Sequence, residues 1–433
     1  MCRFALPILF ANLLQSCYNI VDMAVVGRFV GTAGLAGVSS AAMLCYLINA
    51  LCAGITTGGG VLAAHYKGAG DPRLQEAAGT LFALSALAAG VVTALGLLLC
   101  RPVFVLMQAP EEALPHALAY MYPMCLGTVL VFGYNAVCAL LRGLGDSRSP
   151  LVFVAAATGV NIALDLLLVG ALELGTLGAS LATVCAQGAA FFIAVPALRR
   201  RPDFPFRFRP AQLRPRRAQA VPILKTGLPT AVQMAVLNLS YLLVTGMLNA
   251  HGVTVAAAAG IGLKINTFAV LPCWAVGAAV TAMAGQCVGA GDISRAARTG
   301  RAGAGLSMLL TLGAVAVVQL FTAPIVGLFD PSPAVVAEGV RYLRLCCSLN
   351  CLLYAAMYTY DSFATGVGAA PLAMANSLFH SLAMRLLGSL LLAGPLGLGA
   401  LGLYWAEALS PIPSAIFGFL FFHSGIWKPK SRP

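Results

Sequence analysis

Charge is what this sequence has least of. Only 9% of its 433 residues are Asp, Glu, Lys or Arg, against the roughly 25% of an ordinary soluble domain. A soluble domain of useful size is thereby excluded. Also missing is the chemistry of common enzymes. No phosphate-binding loop, His/Glu metal motif or Ser/His/Asp set can be traced. The run Gly58-Gly59-Gly60 lacks the Lys and Ser/Thr that a phosphate needs. Neither ATP-driven transport within the chain nor catalysis is expected, and no cofactor or metal. No cleavable signal peptide opens the chain, because an apolar run starts at Phe4 without a small-residue cleavage site. A start that short leaves room for an upstream segment outside this sequence. The 13 Cys lie almost all in apolar runs. Their one cluster, Cys346, Cys347 and Cys351, has no His or acid at ligand spacing, so they read as small core hydrophobes.

What is present is apolar sequence. Hydrophobic residues make up 60% of the chain, in runs of the ~20 residues that span a bilayer. Twelve spans are predicted, near 4–27, 33–60, 77–100, 117–141, 150–171, 177–198, 221–249, 254–286, 297–322, 336–365, 371–393 and 398–423. The fold class is an all-α polytopic membrane protein. The second and eighth spans exceed the bilayer and should tilt or project.

Lys and Arg are unevenly placed. With both termini inside, twenty fall on the inner side, from Arg3 through the stretch Arg199–Arg217 (including Arg207) to Lys428, Lys430 and Arg432, and four (Arg28, Arg101, Arg341, Arg344) on the outer. The positive-inside rule then puts both termini in the cytoplasm of a cell, inner-membrane, multi-pass protein. The net charge of +12 thus reflects topology and contact with anionic lipid headgroups; no nucleic-acid partner is expected.

The chain also repeats. Gly68-Ala69-Gly70-Asp71 recurs as Gly289-Ala290-Gly291-Asp292, Leu6-Pro7 as Leu228-Pro229, Leu177-Gly178-Ala179 as Leu398-Gly399-Ala400, and Gly143-Leu144-Gly145 as Gly366-Val367-Gly368, at offsets of 221–223. An offset of six spans gives two six-helix lobes related by a parallel repeat. The domains are then 1–198 (first lobe), 199–220 (basic cytoplasmic linker) and 221–433 (second lobe). Two such lobes about a cleft suit alternating access.

Asp22, Asp165, Asp361 and Glu407 fall within these spans. A charge at the bilayer centre costs about 2.5–3.5 kcal/mol on insertion scales, so such acids face an interior or a wet cavity and mark ion paths. Gln15, Tyr18, Asn19 and Asp22 share one helical face at i, i+3, i+4 and i+7; Asn161 and Asp165 are one turn apart on the fifth span; Thr183 is a polar residue on the sixth. If these faces converge, two carboxylates resist double ionisation and hold one proton, or a hard cation such as Na⁺. Hydrogen bonding between helices is the alternative for Gln15, Asn161 and Thr183 taken singly. Pro7 frees the carbonyl of Arg3 and predicts a kink. In the second half, Gln233, Tyr241 and Thr245 form a looser polar stripe, and Lys264 is either a cleft-facing group or a snorkelling one. Asp361 and Arg385 are placed to pair across helices. Glu407 has no assigned role; His65 and His380 read as structural.

At Phe4-Ala5-Leu6-Pro7, Asn19-Ile20-Val21-Asp22, Val26-Gly27-Arg28-Phe29-Val30-Gly31, the two Gly-Ala-Gly-Asp motifs and Arg142-Gly143-Leu144-Gly145-Asp146, the chain resembles the multidrug and toxic compound extrusion (MATE) family, DinF-like branch, over essentially its full length. The resemblance implies export of organic cations or drugs in exchange for H⁺ or Na⁺. It implies a cation site at Asp22, Asn161, Asp165 and Thr183, a substrate cleft near Gln15, Tyr18 and Asn19, and a hinge at Pro7. Gln233, Tyr241 and Lys264 are the candidate cleft residues of the second lobe. Span seven lacks the acid found in a related branch, so a second cation site is not expected. The chain is expected to act as a monomer. The rival readings are a lipid-linked-saccharide flippase of the same superfamily, which would want a cationic cleft, and a membrane enzyme or scaffold.

Overall fold

In the computed structural model, residues 1–108, 110–201, 204, 206, 208–209 and 212–428 are described. Arg207, Lys430 and Arg432 of the charge asymmetry lie outside them. The described residues are helical, with no strand. The first half comprises α1 (Cys2–Phe29), α2 (Gly31–Ala69), α3 (Leu74–Leu106), α4 (Leu114–Gly143), α5 (Arg148–Asp165) and α6 (Gly175–Arg199). After Asp165 the fifth span continues in π-helical register over Leu166–Ala171. The second half begins with α7 (Arg217–Asn249), α8 (Val253–Gly289) and α9 (Ile293–Leu320). Next come α10 (Thr322–Gly327), α11 (Pro333–Cys346), α12 (Leu349–Gly366) and α13 (Ala370–Leu378). A π-helical segment, Phe379–Leu387, joins α13 to α14 (Gly388–Ala393), and α15 (Gly399–Leu409) and α16 (Pro411–Ser424) close the chain.

Ten of these helical segments are long and apolar enough to cross a membrane. The other two expected spans are present but interrupted. The tenth, expected unbroken over 336–365, breaks at Cys347–Ser348, where Asn350 accepts the Ser348 N–H (2.9 Å) and donates to the Cys346 carbonyl (2.9 Å). A side chain there takes over the hydrogen bonds that the helix gives up. The eleventh changes register in its π-helical segment. At 39 and 37 residues, α2 and α8 are about 58 and 55 Å long at 1.5 Å per residue, well beyond the bilayer core.

The chain forms two compact units. One is Leu6–Ala231; the other is Val232–Pro433 together with Met1–Ala5. The described residues of the expected linker 199–220 therefore sit within the first unit, and apolar anchors explain this. Phe204 and Phe206 are fully buried with Leu81, Phe132 and Leu140, and Phe206 stacks on Phe82 at 5.8 Å. Arg201 pairs with Asp146 (2.8 Å), and Tyr66 donates to Gln219 (2.8 Å). The start of α7 packs on α2, where Gly54 and Gly58 let Gly227 and the Ile223 carbonyl come close. In the other unit, Ala5 packs with Val276, Val280, Phe363 and Phe422, while Tyr342, Leu343 and Tyr404 centre a second cluster.

The repeated Gly-Ala-Gly-Asp is a helix stop followed by a helix start. Gly70 and Gly291 adopt left-handed φ values of 64° and 74°, which an L side chain resists. Asp71 accepts the Arg73 N–H and Asp292 the Arg295 N–H, each at 2.8 Å. The Arg73 guanidinium, bonded to both Asp71 oxygens, holds that carboxyl below the usual carboxylate range.

Candidate cation and substrate site

The first unit holds a small pocket of about 30 Å³. Gln15 and Tyr18 reach it from α1, Tyr134 from α4, Asn161 from α5, and Thr183 and Gln187 from α6. Alternation of polar residues with Ala and Val lets these helices pack closely while turning their polar stripes to one place. Asp22 lies one turn beyond Tyr18 on α1, and Asp165 one turn beyond Asn161 on α5. Both are buried, at 7% and 0% exposure. The two acids act on each other electrostatically, and both act on Tyr18.

This cluster is rich in unanswered acceptors. Asp22 Oδ1, both oxygens of Asp165, Asn161 Oδ1, Thr183 Oγ1 and Gln187 Oε1 are all buried without a hydrogen-bond partner. No cationic side chain among the described residues pairs with either acid. An isolated buried carboxylate is costly, so the arrangement suits a bound proton or a hard cation, which prefers oxygen ligands. No group of three or more His, Cys, Asp or Glu among the described residues is disposed to hold a metal ion.

The cation-site residues anticipated from sequence, Asp22, Asn161, Asp165 and Thr183, thus come together with Tyr18, and Gln15 lines the same pocket. Asn19 is exposed and does not line it. Sequence reading missed Gln187, Tyr134 and Tyr120. Gln187 was findable, being one turn from Thr183. Tyr120 is buried and sits within electrostatic reach of Asp22 and Tyr18. Pro7 lies inside an uninterrupted α1.

Gln233, Tyr241 and Lys264 belong to the second unit. Gln233 is half-buried, and Lys264 is exposed without an ion pair among the described residues. The face of Tyr241 is covered by the Arg385 guanidinium, 3.4 Å from the ring centroid. The expected Asp361–Arg385 pair does not form. Arg385, 1% exposed, binds Glu407 instead (Nη2 to Oε1, 2.6 Å), while Asp361 accepts from Asn376 (2.8 Å). Arg385 lies in the π-helical segment, where the Tyr241 ring of α7 and the Glu407 carboxylate of α15 hold its guanidinium. His380 is buried against the Tyr354 ring, 5.9 Å between centroids.

Repeated apolar helices with a buried acid pair in one unit are the build of a membrane transporter. The MatE family model matches the chain twice, over residues 7–167 and 229–390, and the chain belongs to that family. The probable multidrug resistance protein YpnP of Bacillus subtilis (strain 168) is 26% identical over 98% of this chain and 94% of its own length. The probable multidrug resistance protein NorM of Thermotoga maritima is 24% identical over 99% and 93%. Among solved structures, an outward-facing multidrug resistance MATE family transporter of the MOP superfamily superposes with a TM-score of 0.92 at 21% identity, covering 99% of this chain and 96% of that one. A MOP superfamily transporter from Pyrococcus furiosus, described as having a binding pocket of reverse polarity, gives 0.92 at 22% identity, covering 98% and 94%. These two share the fold.

Proposed function

We propose that this protein is a cation-coupled antiporter that exports organic cations or drugs across the cytoplasmic membrane by alternating access. H⁺ or Na⁺ binds at Asp22, Asn161, Asp165 and Thr183. The substrate uses the adjoining pocket at Gln15 and Tyr18, with Pro7 as a hinge; Asn19 on the same helix, and Gln233, Tyr241 and Lys264 in the second unit, are the further candidates for substrate contact. The observation that carries this reading is the buried acid pair without a cationic partner, ringed by unanswered oxygens. Ion and substrate need only prefer different states for their fluxes to couple. The names of the curated relatives support a drug as substrate. The flippase reading has less support, because Glu407 already neutralises Arg385.

The test is drug efflux from a host lacking its own pumps. Asp22→Asn and Asp165→Asn should each lower efflux by roughly 5–150-fold, the range of coupling free energies of about 1–3 kcal/mol, without loss of folded protein. Undiminished efflux in both variants would falsify the mechanism.

A further inference from the structure

The second unit contains a buried acid that this transport reaction leaves unused. Asp361 on α12 is 5% exposed, and Arg385, the counter-charge expected from the sequence, is committed to Glu407. Its Oδ1 accepts a hydrogen bond from Asn376 Nδ2 on α13 at 2.8 Å. The same nitrogen donates to the Ser414 carbonyl on α16 at 3.2 Å. Two acceptors on one amide nitrogen use both its hydrogens, which fixes which way the amide faces. Two atoms are left over. Asp361 Oδ2 and Asn376 Oδ1 are both buried without a partner.

Carboxyl and amide are planar groups of matching width. One N–H···O bond already joins them, and the atom each has left over is an acceptor, so neither can answer the other. One hydrogen resolves the conflict: a proton on Asp361 Oδ2 becomes a donor to Asn376 Oδ1 and closes a cyclic acid–amide pair. It also removes an uncompensated charge from a site with almost no water contact. A metal cation would want about six oxygens, and only these two are free. Tyr358, on the same helix, is the titratable side chain that senses Asp361; α13 and α16 face it with the uncharged Asn376 and Ser414. Thr365 donates to the Asp361 carbonyl (2.9 Å), and α12 ends at Gly366, five residues on.

We propose that Asp361 and Asn376 form a proton-binding site in the second unit, separate from the acid pair, whose proton exchanges at the nearby end of α12 during transport. The exchange half rests on the antiport reading; the protonation half does not.

Infrared spectroscopy of the purified full-length protein at neutral pH tests protonation. A carboxylic-acid C=O band should appear in the wild type and persist in the Asp22→Asn/Asp165→Asn double variant. It should vanish when Asp361→Asn is added to that double variant, the new amide supplying an N–H where the acid supplied O–H. In the same double-variant background Asn376→Ala should shift the band without removing it, and this decides the matter should the Asp361→Asn combination fail to fold. A band that survives Asp361→Asn in that background, or that Asn376→Ala leaves unmoved there, overturns the assignment. In proteoliposomes, Asp361→Asn should lower the protons moved per substrate and shift the pH profile of transport. An unchanged ratio and profile, with the band lost, would show a fixed proton and overturn exchange. Failure of the acid pair would appear instead in the Asp22 and Asp165 variants.

Discussion

Arg385 is the largest side chain that the structure buries completely. It lies between the Tyr241 ring and the Glu407 carboxylate. Taking a guanidinium and a carboxylate out of water costs several kcal/mol per ion, and the pair stands only while both partners remain. Glu407→Gln should therefore destabilise the protein by about 3–5 kcal/mol, whereas Arg385→Met with Glu407→Leu should come much closer to the wild type. Thermal unfolding in detergent reads both; a double variant less stable than Glu407→Gln would refute this account. Sequence alone flagged Asp361, Arg385 and Glu407 as misfits in apolar runs but paired them wrongly. Spacing along a regular helix gives a face, and Arg385 sits in a segment that is not regular.

Among the elements, the two repeated prolines mark the places where the chain changes unit. The division falls between Ala5 and Leu6, two residues from Pro7, and between Ala231 and Val232, two residues after Pro229. A proline there removes one i→i−4 hydrogen bond, which lowers the resistance of α1 and α7 to bending. Pro7→Ala restores a donor for the Arg3 carbonyl. It should slow transport while leaving thermal stability equal or higher; transport at the wild-type rate would remove Pro7 from the hinge role. Asp292 offers a different measurement. It caps α9 through the Arg295 N–H, and Asp292→Ala should cost about 1 kcal/mol, visible as faster amide exchange in the first turn of α9 alone. The prolines were legible because Pro acts through local backbone chemistry, whereas the Gly-Ala-Gly-Asp motifs were read only as a repeat and their capping came from the structure. The π-helical registers after Asp165 and Leu378 were not legible, since no residue spacing announces an i→i+5 bond. The Phe204–Phe208 anchor was overlooked beneath the basic residues around it, although its Phe residues alternate in the sequence.

For the whole molecule, the repeat read from four short motifs agrees with the family model, whose two matches begin at residues 7 and 229, close to the 221–223 offsets of the motifs. Fold class was legible because a bilayer reduces the problem to counting apolar runs. Where the acids converge was only half legible: spacing gave the faces of α1 and α5, and packing supplied Gln187, Tyr134 and Tyr120. Orientation is the prediction that belongs to this scale. A Lys or Arg near a span end holds its loop on the cytoplasmic side, and the asymmetry of twenty against four leaves little competition between loops. Inverting the chain would carry Arg199, Arg200, Arg201, Arg214, Arg216 and Arg217 across the membrane together. Phe204 and Phe206, buried in the first unit, and the Arg201–Asp146 pair tie that stretch to the same side as the loop between α4 and α5. A fluorescent protein fused after Pro433 should therefore fold and emit in the cytoplasm, and a cysteine placed at Arg214 should resist membrane-impermeant thiol reagents in intact cells. A cysteine at Arg344, on the outer side in this orientation, should react. Labelling at Arg214 with protection at Arg344 would reverse the orientation, and the acid pair would then have to draw its ion from the opposite compartment.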